Sequence, residues 1–135
     1  MEKLFENKTV ISADIDEVKN FLASSNISQW AYDISRVTEC GDDLLELKRP
    51  KKTFNGREIL NITDGGNEVF YDIKGDKLDY KIKFELTSIG NSTLINEIFY
   101  VESRKSFMII LKIMKPIIKI EFMKNLDTLA YILDT

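Results

Sequence analysis

The segment that decides the fold lies near the C-terminus, where residues 107–134 read FMIILKIMKPIIKIEFMKNLDTLAYILD. Apolar side chains recur in it every three or four residues, which predicts an α-helix about 40 Å long. Pro116 predicts a bend, because proline removes a backbone hydrogen bond inside a helix. The apolar surface of this helix is wider than the stripe of an ordinary surface helix. It carries Phe107, Ile109, Leu111, Ile113, Met114, Ile117, Ile118, Ile120, Phe122, Leu129 and Ile132.

The chain before this helix alternates with a period of two, which is typical of antiparallel strands with one face in water. The clearest case is residues 78–86, where five apolar or aromatic side chains alternate with four charged ones. Turns rich in Gly, Asn and Asp separate the alternating segments. Strands are therefore expected at residues 3–12, 36–40, 44–50, 57–63, 67–74, 78–88 and 92–103.

Two short helices are predicted after the first strand. Asp14, with Glu17 three residues later, has the pattern of a capping box and predicts the start of the first helix. Residues 27–34 predict a second helix that carries Trp30. The order of one strand, two short helices, six strands and one long helix predicts a single α+β domain over residues 1–135.

Several segments resemble the START-related polyketide cyclase (SRPBCC) superfamily, and the similarity covers nearly the whole chain. Its motifs are diffuse packing signals, and two positions depart from the pattern. Asp14 replaces a frequent proline, and Ser24-Ser25 replaces the aspartate that ends the first helix, so no functional residue is carried over. The resemblance rests on Ile11-Ser12-Ala13, Val18, Phe21-Leu22, Trp30, Ile34, Val37, residues 62–67, residues 90–95, Leu126, Leu129 and Leu133.

The resemblance implies a helix-grip fold. In that fold a strongly curved seven-stranded antiparallel sheet wraps around the long C-terminal helix, and an apolar cavity lies between them. Members of the superfamily mostly bind or carry hydrophobic small molecules, some catalyse cyclisation or dehydration, and others act on chaperone ATPases. A fold hosts many functions, so the residues must decide among these.

The composition excludes several kinds of chemistry. The chain has no histidine and one cysteine, and its net charge is −3. Ser-His-Asp catalysis, Cys-His catalysis and imidazole ligation of metals are therefore excluded. No metal-ligand spacing and no glycine-rich phosphate loop is visible, so neither a metal nor a cofactor is expected. The acidic balance argues against a nucleic-acid partner, and the basic run at residues 48–52 is interpreted as a solvated edge.

The location is predicted to be cytoplasmic. No apolar run approaches the roughly 20 residues that span a bilayer, so no stable membrane insertion is expected. The first residues lack the apolar core of an export signal. A single cysteine, Cys40, fits a reducing compartment.

Ten side chains are candidates for the predicted cavity between sheet and helix. Apolar and aromatic residues would form adaptable walls, and tyrosine hydroxyls would act as polar handles. A carboxyl group from Glu97 or Glu121 would orient a ligand hydroxyl or carry a proton. For Glu121 the alternative is a position in water, beyond a rotation of the helix. The ten candidates are Trp30, Tyr71, Tyr80, Phe84, Glu97, Ile98, Met114, Ile118, Glu121 and Phe122.

The leading hypothesis is that the protein binds or carries a small hydrophobic or amphipathic molecule. A binding protein is thus favoured over an enzyme. The alternative is an enzyme of the cyclase or dehydratase kind, which would use Glu97 or Glu121 with Tyr71 or Tyr80. A chaperone-linked protein-interaction module is a third hypothesis. The wide helix surface has three interpretations of its own, namely a gripped core without ligand, a ligand cavity, and the surface of a homodimer or of a membrane contact.

Overall fold

The computed structural model describes residues 1–31, 34–49, 55–102 and 105–134, without the side chains of residues 105–107. The side chain of Phe107 and residues 50–52 of the basic run lie outside the described part. The elements are β1 (Glu2–Ile11), α1 (Ile15–Ala23), α2 (Ile27–Trp30), β2 (Arg36–Gly41), β3 (Leu44–Lys48), β4 (Arg57–Asp64), β5 (Glu68–Gly75), β6 (Tyr80–Ile89), β7 (Ser92–Val101) and α3 (Lys105–Leu133).

The seven strands form one antiparallel sheet in the order β1-β7-β6-β5-β4-β3-β2. Strands β2 to β7 follow one another as hairpins, while β1 pairs with the last strand, β7. Hairpins need only short turns, and this explains the regular spacing of Gly, Asn and Asp in the sequence. The curved sheet, the two short helices and the long C-terminal helix form a helix-grip fold, as predicted.

The predicted start of α1 is confirmed. The backbone N–H of Glu17 donates to Asp14 Oδ1 at 2.9 Å, so Asp14 is the N-cap. The second helix is shorter than predicted and ends at Trp30. Ala31 and Ile34 follow the helix and are also buried. Their apolar spacing in the sequence therefore predicted a longer helix than the structure contains.

The long helix α3 runs from Lys105 to Leu133 and includes Pro116. Its C-terminal end is tied to β1, because the N–H of Ser12 donates to Asp134 Oδ1 at 2.9 Å. No helix in the described part of the chain combines the length and the hydropathy needed to cross a membrane. The side of α3 that faces the sheet buries Met108, Leu111, Leu126, Leu129 and Leu133.

The isoleucines that widen the apolar surface of α3 do not join the core. Ile109, Ile113, Ile117 and Ile120 are all exposed on the outer side of the helix. The sheet is curved, but it covers only one side of α3. The interpretation in which the sheet grips this entire surface is therefore wrong for these four residues.

Candidate functional site

The inner face of the sheet carries one acidic side chain at its centre, Glu97 on β7. The register places Glu97 opposite Phe84 of β6 on one side and opposite Asn7 of β1 on the other. The neighbouring inward-facing residues of β7 are Ile95 and Phe99, and both are buried. Glu97 is 1% exposed, so a carboxyl group lies inside an almost wholly apolar layer.

Asn7 is the described hydrogen-bond partner of this carboxyl group. Its Nδ2 donates to Glu97 Oε1 at 3.3 Å and to the backbone oxygen of Lys119 in α3 at 3.2 Å. One side chain therefore joins the first strand, the carboxyl group and the middle of the long helix. The bond to Lys119 fixes the middle of α3 to the inner face of the sheet beside Glu97.

Burial dominates the ionisation of Glu97. Removal from water raises its pKa to about 8, and the hydrogen bond from Asn7 opposes that rise. At neutral pH the group is therefore mostly protonated, and its hydroxyl can donate a hydrogen bond while its carbonyl oxygen can accept one.

Two clusters of aromatic rings flank the Glu97–Asn7 pair. In the first, Phe99 stacks on Phe5 at 4.8 Å and on Tyr80 at 4.9 Å between ring centroids, and Phe122 of α3 meets Phe99 edge-on at 5.0 Å. In the second, Phe84 lies 5.0 Å from Tyr71 and 6.1 Å from Trp30. These arrangements suit the ring quadrupoles and shape an apolar interior around one carboxyl group.

The two candidate tyrosines are already engaged. The hydroxyl of Tyr71 donates to the backbone oxygen of Leu22 at 2.6 Å, and burial, with the negative charge of Glu97 as a smaller cause, raises the pKa of Tyr71. Tyr80 accepts a hydrogen bond from Arg49 at 3.5 Å. Tyr71 thus holds α1 against the sheet, and Tyr80 lies beside a partly buried ion pair.

That ion pair belongs to a polar network at one end of the sheet. Arg49 Nε lies 2.5 Å from Glu58 Oε1, and the two side chains are 9% and 2% exposed. Asn55 donates to Glu58 Oε2 at 2.9 Å and accepts from the N–H of Leu78, also at 2.9 Å. Arg49 belongs to the basic run that was interpreted as a solvated edge, and that interpretation is wrong for this residue. Asn55 was not identified from the sequence.

Three buried polar side-chain atoms have no hydrogen-bond partner among the described residues. They are Trp30 Nε1 in the second aromatic cluster, Asn125 Oδ1 on α3, and Asn96 Oδ1, which belongs to the face of the sheet opposite Glu97. Leaving such an atom unpaired costs free energy in a folded protein, so each one needs an explanation. A bound molecule with its own acceptor and donor groups would be an explanation for Trp30 Nε1 and Asn125 Oδ1.

Met114, Ile118 and Phe122 share the side of α3 that also carries the buried Leu111 and Leu129. Unlike those two leucines, these three residues are only partly buried. Ile118 and Phe122 pack against the core, and each of the three residues keeps part of its surface in contact with solvent.

Two of the ten candidates lie away from this interior. Ile98 pairs with Glu6 and Lys83 and projects from the face opposite Glu97, since neighbouring residues of a strand point to opposite faces. Glu121 is exposed on α3, with Lys124 at 3.6 Å. The other eight lie in or beside the interior between sheet and helices.

A separate cleft of about 620 Å³ opens between the end of α1 and the β2–β3 hairpin. None of the ten candidates lines it, and its acidic residues form no group that could hold a metal within the described residues. Its lining residues are Ala23, Ser25, Glu39, Gly41, Asp42, Asp43, Leu44, Leu45 and Ile62.

Comparisons with known proteins show the fold. No family model matches the chain, and a search of curated proteins finds no match. Among solved structures, a START superfamily protein from Mycobacterium smegmatis aligns with a TM-score of 0.73 and 15% identity, over 96% of this chain and 97% of that one. Norcoclaurine synthase from Thalictrum flavum aligns with a TM-score of 0.72 and 11% identity, over 95% of this chain and 84% of that one.

A third solved structure is the Aha1 dimer from Colwellia psychrerythraea, with a TM-score of 0.68 and 14% identity, over 99% of this chain and 97% of that one. The three proteins differ in what their names describe, while their architecture is shared. The chain therefore has an SRPBCC-type helix-grip fold. At these identities the likeness shows the fold alone, and the function must come from the interior around Glu97.

Proposed function

We propose that this protein binds a small hydrophobic or amphipathic molecule between the inner face of the sheet and α3. The observation that carries the proposal is the Glu97 carboxyl group, which lies between two aromatic clusters with a hydrogen bond from Asn7. Binding sites for small molecules combine apolar walls with a few placed polar groups, and this interior has that composition. Met114, Ile118 and Phe122 of α3 would form the opposite wall.

The polar groups specify the chemistry of the ligand. A protonated Glu97 offers one donor and one acceptor, Trp30 Nε1 offers a donor and Asn125 Oδ1 offers an acceptor. These groups favour a neutral polar function such as a carbonyl or a hydroxyl. A ligand carboxylate would place a second acid beside Glu97 in a medium that penalises charge.

The test uses Nile red, an uncharged fluorescent probe with a carbonyl acceptor. Ile118→Trp adds bulk on the sheet-facing side of α3, so this variant should lose probe binding while it still unfolds cooperatively. Ile113→Trp makes the same change on the exposed side of the same helix and is the matched control. Equal binding by Ile118→Trp and the parent would show that the molecule does not occupy this interior.

An enzyme of the cyclase or dehydratase kind is the second candidate function. The observation in its favour is the pKa of Glu97, about 8, which suits a general acid near neutral pH. Binding ranks first because the hydroxyl of Tyr71 is held by Leu22, and Tyr80 lies beside Arg49. A turnover that disappears in Glu97→Gln, while Nile red binding persists, would reverse this ranking.

We also propose a cytoplasmic location. Cys40 is exposed and carries a free thiol. Exposed thiols persist in compartments that keep them reduced. Expression with a fluorescent tag and microscopy tests this proposal directly, and export of the tagged chain would contradict it.

A further inference from the structure

The outer side of α3 carries a continuous row of exposed apolar side chains. Ile109, Ile113, Ile117 and Ile120 follow one another at intervals of four, four and three residues, so they lie on one side of the helix. Their exposed fractions are 66%, 73%, 60% and 56%. We call these four residues the isoleucine ridge. Single exposed apolar residues are ordinary, whereas a contiguous group of large ones marks a contact surface.

A row of lysines borders the isoleucine ridge along one edge. Lys112, Lys115 and Lys119 follow at intervals of three and four residues, and all three are exposed. Residues 108–120 contain no acidic side chain, although the whole chain has 19 basic and 22 acidic residues. Positive charge is therefore concentrated beside the ridge in a protein that is acidic overall. Glu2 approaches Lys112 at 4.0 Å, and a contact between two exposed side chains neutralises little.

We propose that the isoleucine ridge and its lysine row dock the protein reversibly onto a bilayer surface that contains anionic lipids. A helix that lies in the plane of the interface buries its apolar residues at the boundary between headgroups and acyl chains. Its lysines reach the anionic headgroups with their flexible stems. Docking differs from insertion, and it requires no helix that crosses the membrane. The proposal goes beyond ligand binding and does not depend on it.

A second copy of this chain fits the same surface less well. When two ridges pair antiparallel about a twofold axis, the two lysine rows fall on the same side of the contact and face each other. The like charges of the two lysine rows would repel each other, and residues 108–120 contain no acidic side chain that could neutralise them. Anionic headgroups supply the opposite charge that the lysine row requires. Charge complementarity therefore selects the lipid surface as the occupant.

The experiment is co-sedimentation of the protein with vesicles of phosphatidylcholine, with and without phosphatidylserine. The parent should bind the vesicles that contain phosphatidylserine, and added salt should weaken the binding. Ile113→Gln/Ile117→Gln should lower the affinity about tenfold or more, since it removes apolar burial. Lys115→Gln/Lys119→Gln should lower it by about 25-fold, at about fivefold for each lysine.

Ile89→Gln is the matched control, because Ile89 is also an exposed isoleucine but lies at the end of β6. This variant should bind as the parent does. Binding that is equal in the parent and both double variants, or no binding to anionic vesicles, would overturn the proposal. A parent dimer in sedimentation velocity that the ridge variant dissociates would overturn it in favour of a second copy. If the ridge variant misfolds, the loss of vesicle binding in the lysine variant still tests the proposal.

Discussion

Replacement of Glu97 by glutamine keeps the shape of the side chain and removes its charge. The amide oxygen of the glutamine can still accept the hydrogen bond that Asn7 Nδ2 donates to Glu97 Oε1. The substitution therefore isolates one quantity, the free energy of keeping an ionisable group inside an apolar layer. We expect the variant to be more stable than the parent at neutral pH.

The magnitude follows from the pKa of Glu97, which rises from 4.5 to about 8 on burial. The folded state holds the proton of Glu97 more tightly than the unfolded state does. The contribution of this protonation to stability is therefore complete below pH 4.5 and is lost progressively as the pH rises towards 8. The loss is about 1.4 kcal/mol for each pH unit inside that window. At pH 7 it amounts to about 3 kcal/mol, which is a large part of the stability of a small domain.

The assay is urea unfolding of parent and variant at several values between pH 5 and pH 8. Trp30, the single tryptophan, is buried and reports the transition by fluorescence. The stability advantage of Glu97→Gln should grow with pH across this window. Glu121→Gln is the control, since Glu121 is exposed, and its effect should stay within about 0.5 kcal/mol. An advantage of Glu97→Gln that is the same at pH 5 and pH 8 would show that Glu97 does not titrate with a raised pKa in the folded protein.

Three further predictions concern the interior. Asn7→Ala should destabilise the protein by about 1–3 kcal/mol in urea unfolding, because it leaves the carboxyl group without this donor; an effect near zero would contradict the assigned role of Asn7. Arg49→Met should cost about 3–5 kcal/mol, since it leaves Glu58 buried without its cation, and the double variant with Glu58→Leu should recover much of that loss. Nile red fluorescence titrations should show weaker binding as the pH rises through about 8, where Glu97 loses its donor proton; a flat pH profile would separate Glu97 from the ligand.

Much of the fold could be predicted because local periodicity sets it. The alternation over residues 78–86 matches the burial of Tyr80, Ile82, Phe84 and Leu86 in β6, and a period of two leaves no ambiguity about which set faces the core. The cap at Asp14 is a local interaction of the same kind. Such features need no knowledge of distant partners.

The site was less predictable because it depends on register between distant segments. Neighbouring residues of a strand face opposite sides, so either Asn96 or Glu97 faces inward, and pairing with β1 and β6 is what selects Glu97. Ile98 was placed in the same cavity, although two neighbouring residues of a strand cannot both face inward. Asn7 was missed, yet it stands at an inward position two residues after Phe5. Its partner, Glu97, is 90 residues away in the chain.

The helix gave one ambiguous signal. Apolar residues around most of the circumference of α3 predicted a wide buried surface, whereas the sheet covers only one side of the helix. Hydrophobic periodicity indicates which residues avoid water, but it does not distinguish a core from a contact surface. For the same reason Glu121 was a candidate for the cavity, whereas it is exposed to solvent.

Native mass spectrometry of the purified protein, followed by organic extraction and identification of what is released, would show whether the interior holds a bound molecule. The parent should carry a small uncharged molecule that denaturation releases, and Ile118→Trp should carry less of it than Ile113→Trp does. A parent that shows only its own mass, and that binds no Nile red after extraction, would contradict the claim that this interior is a binding site.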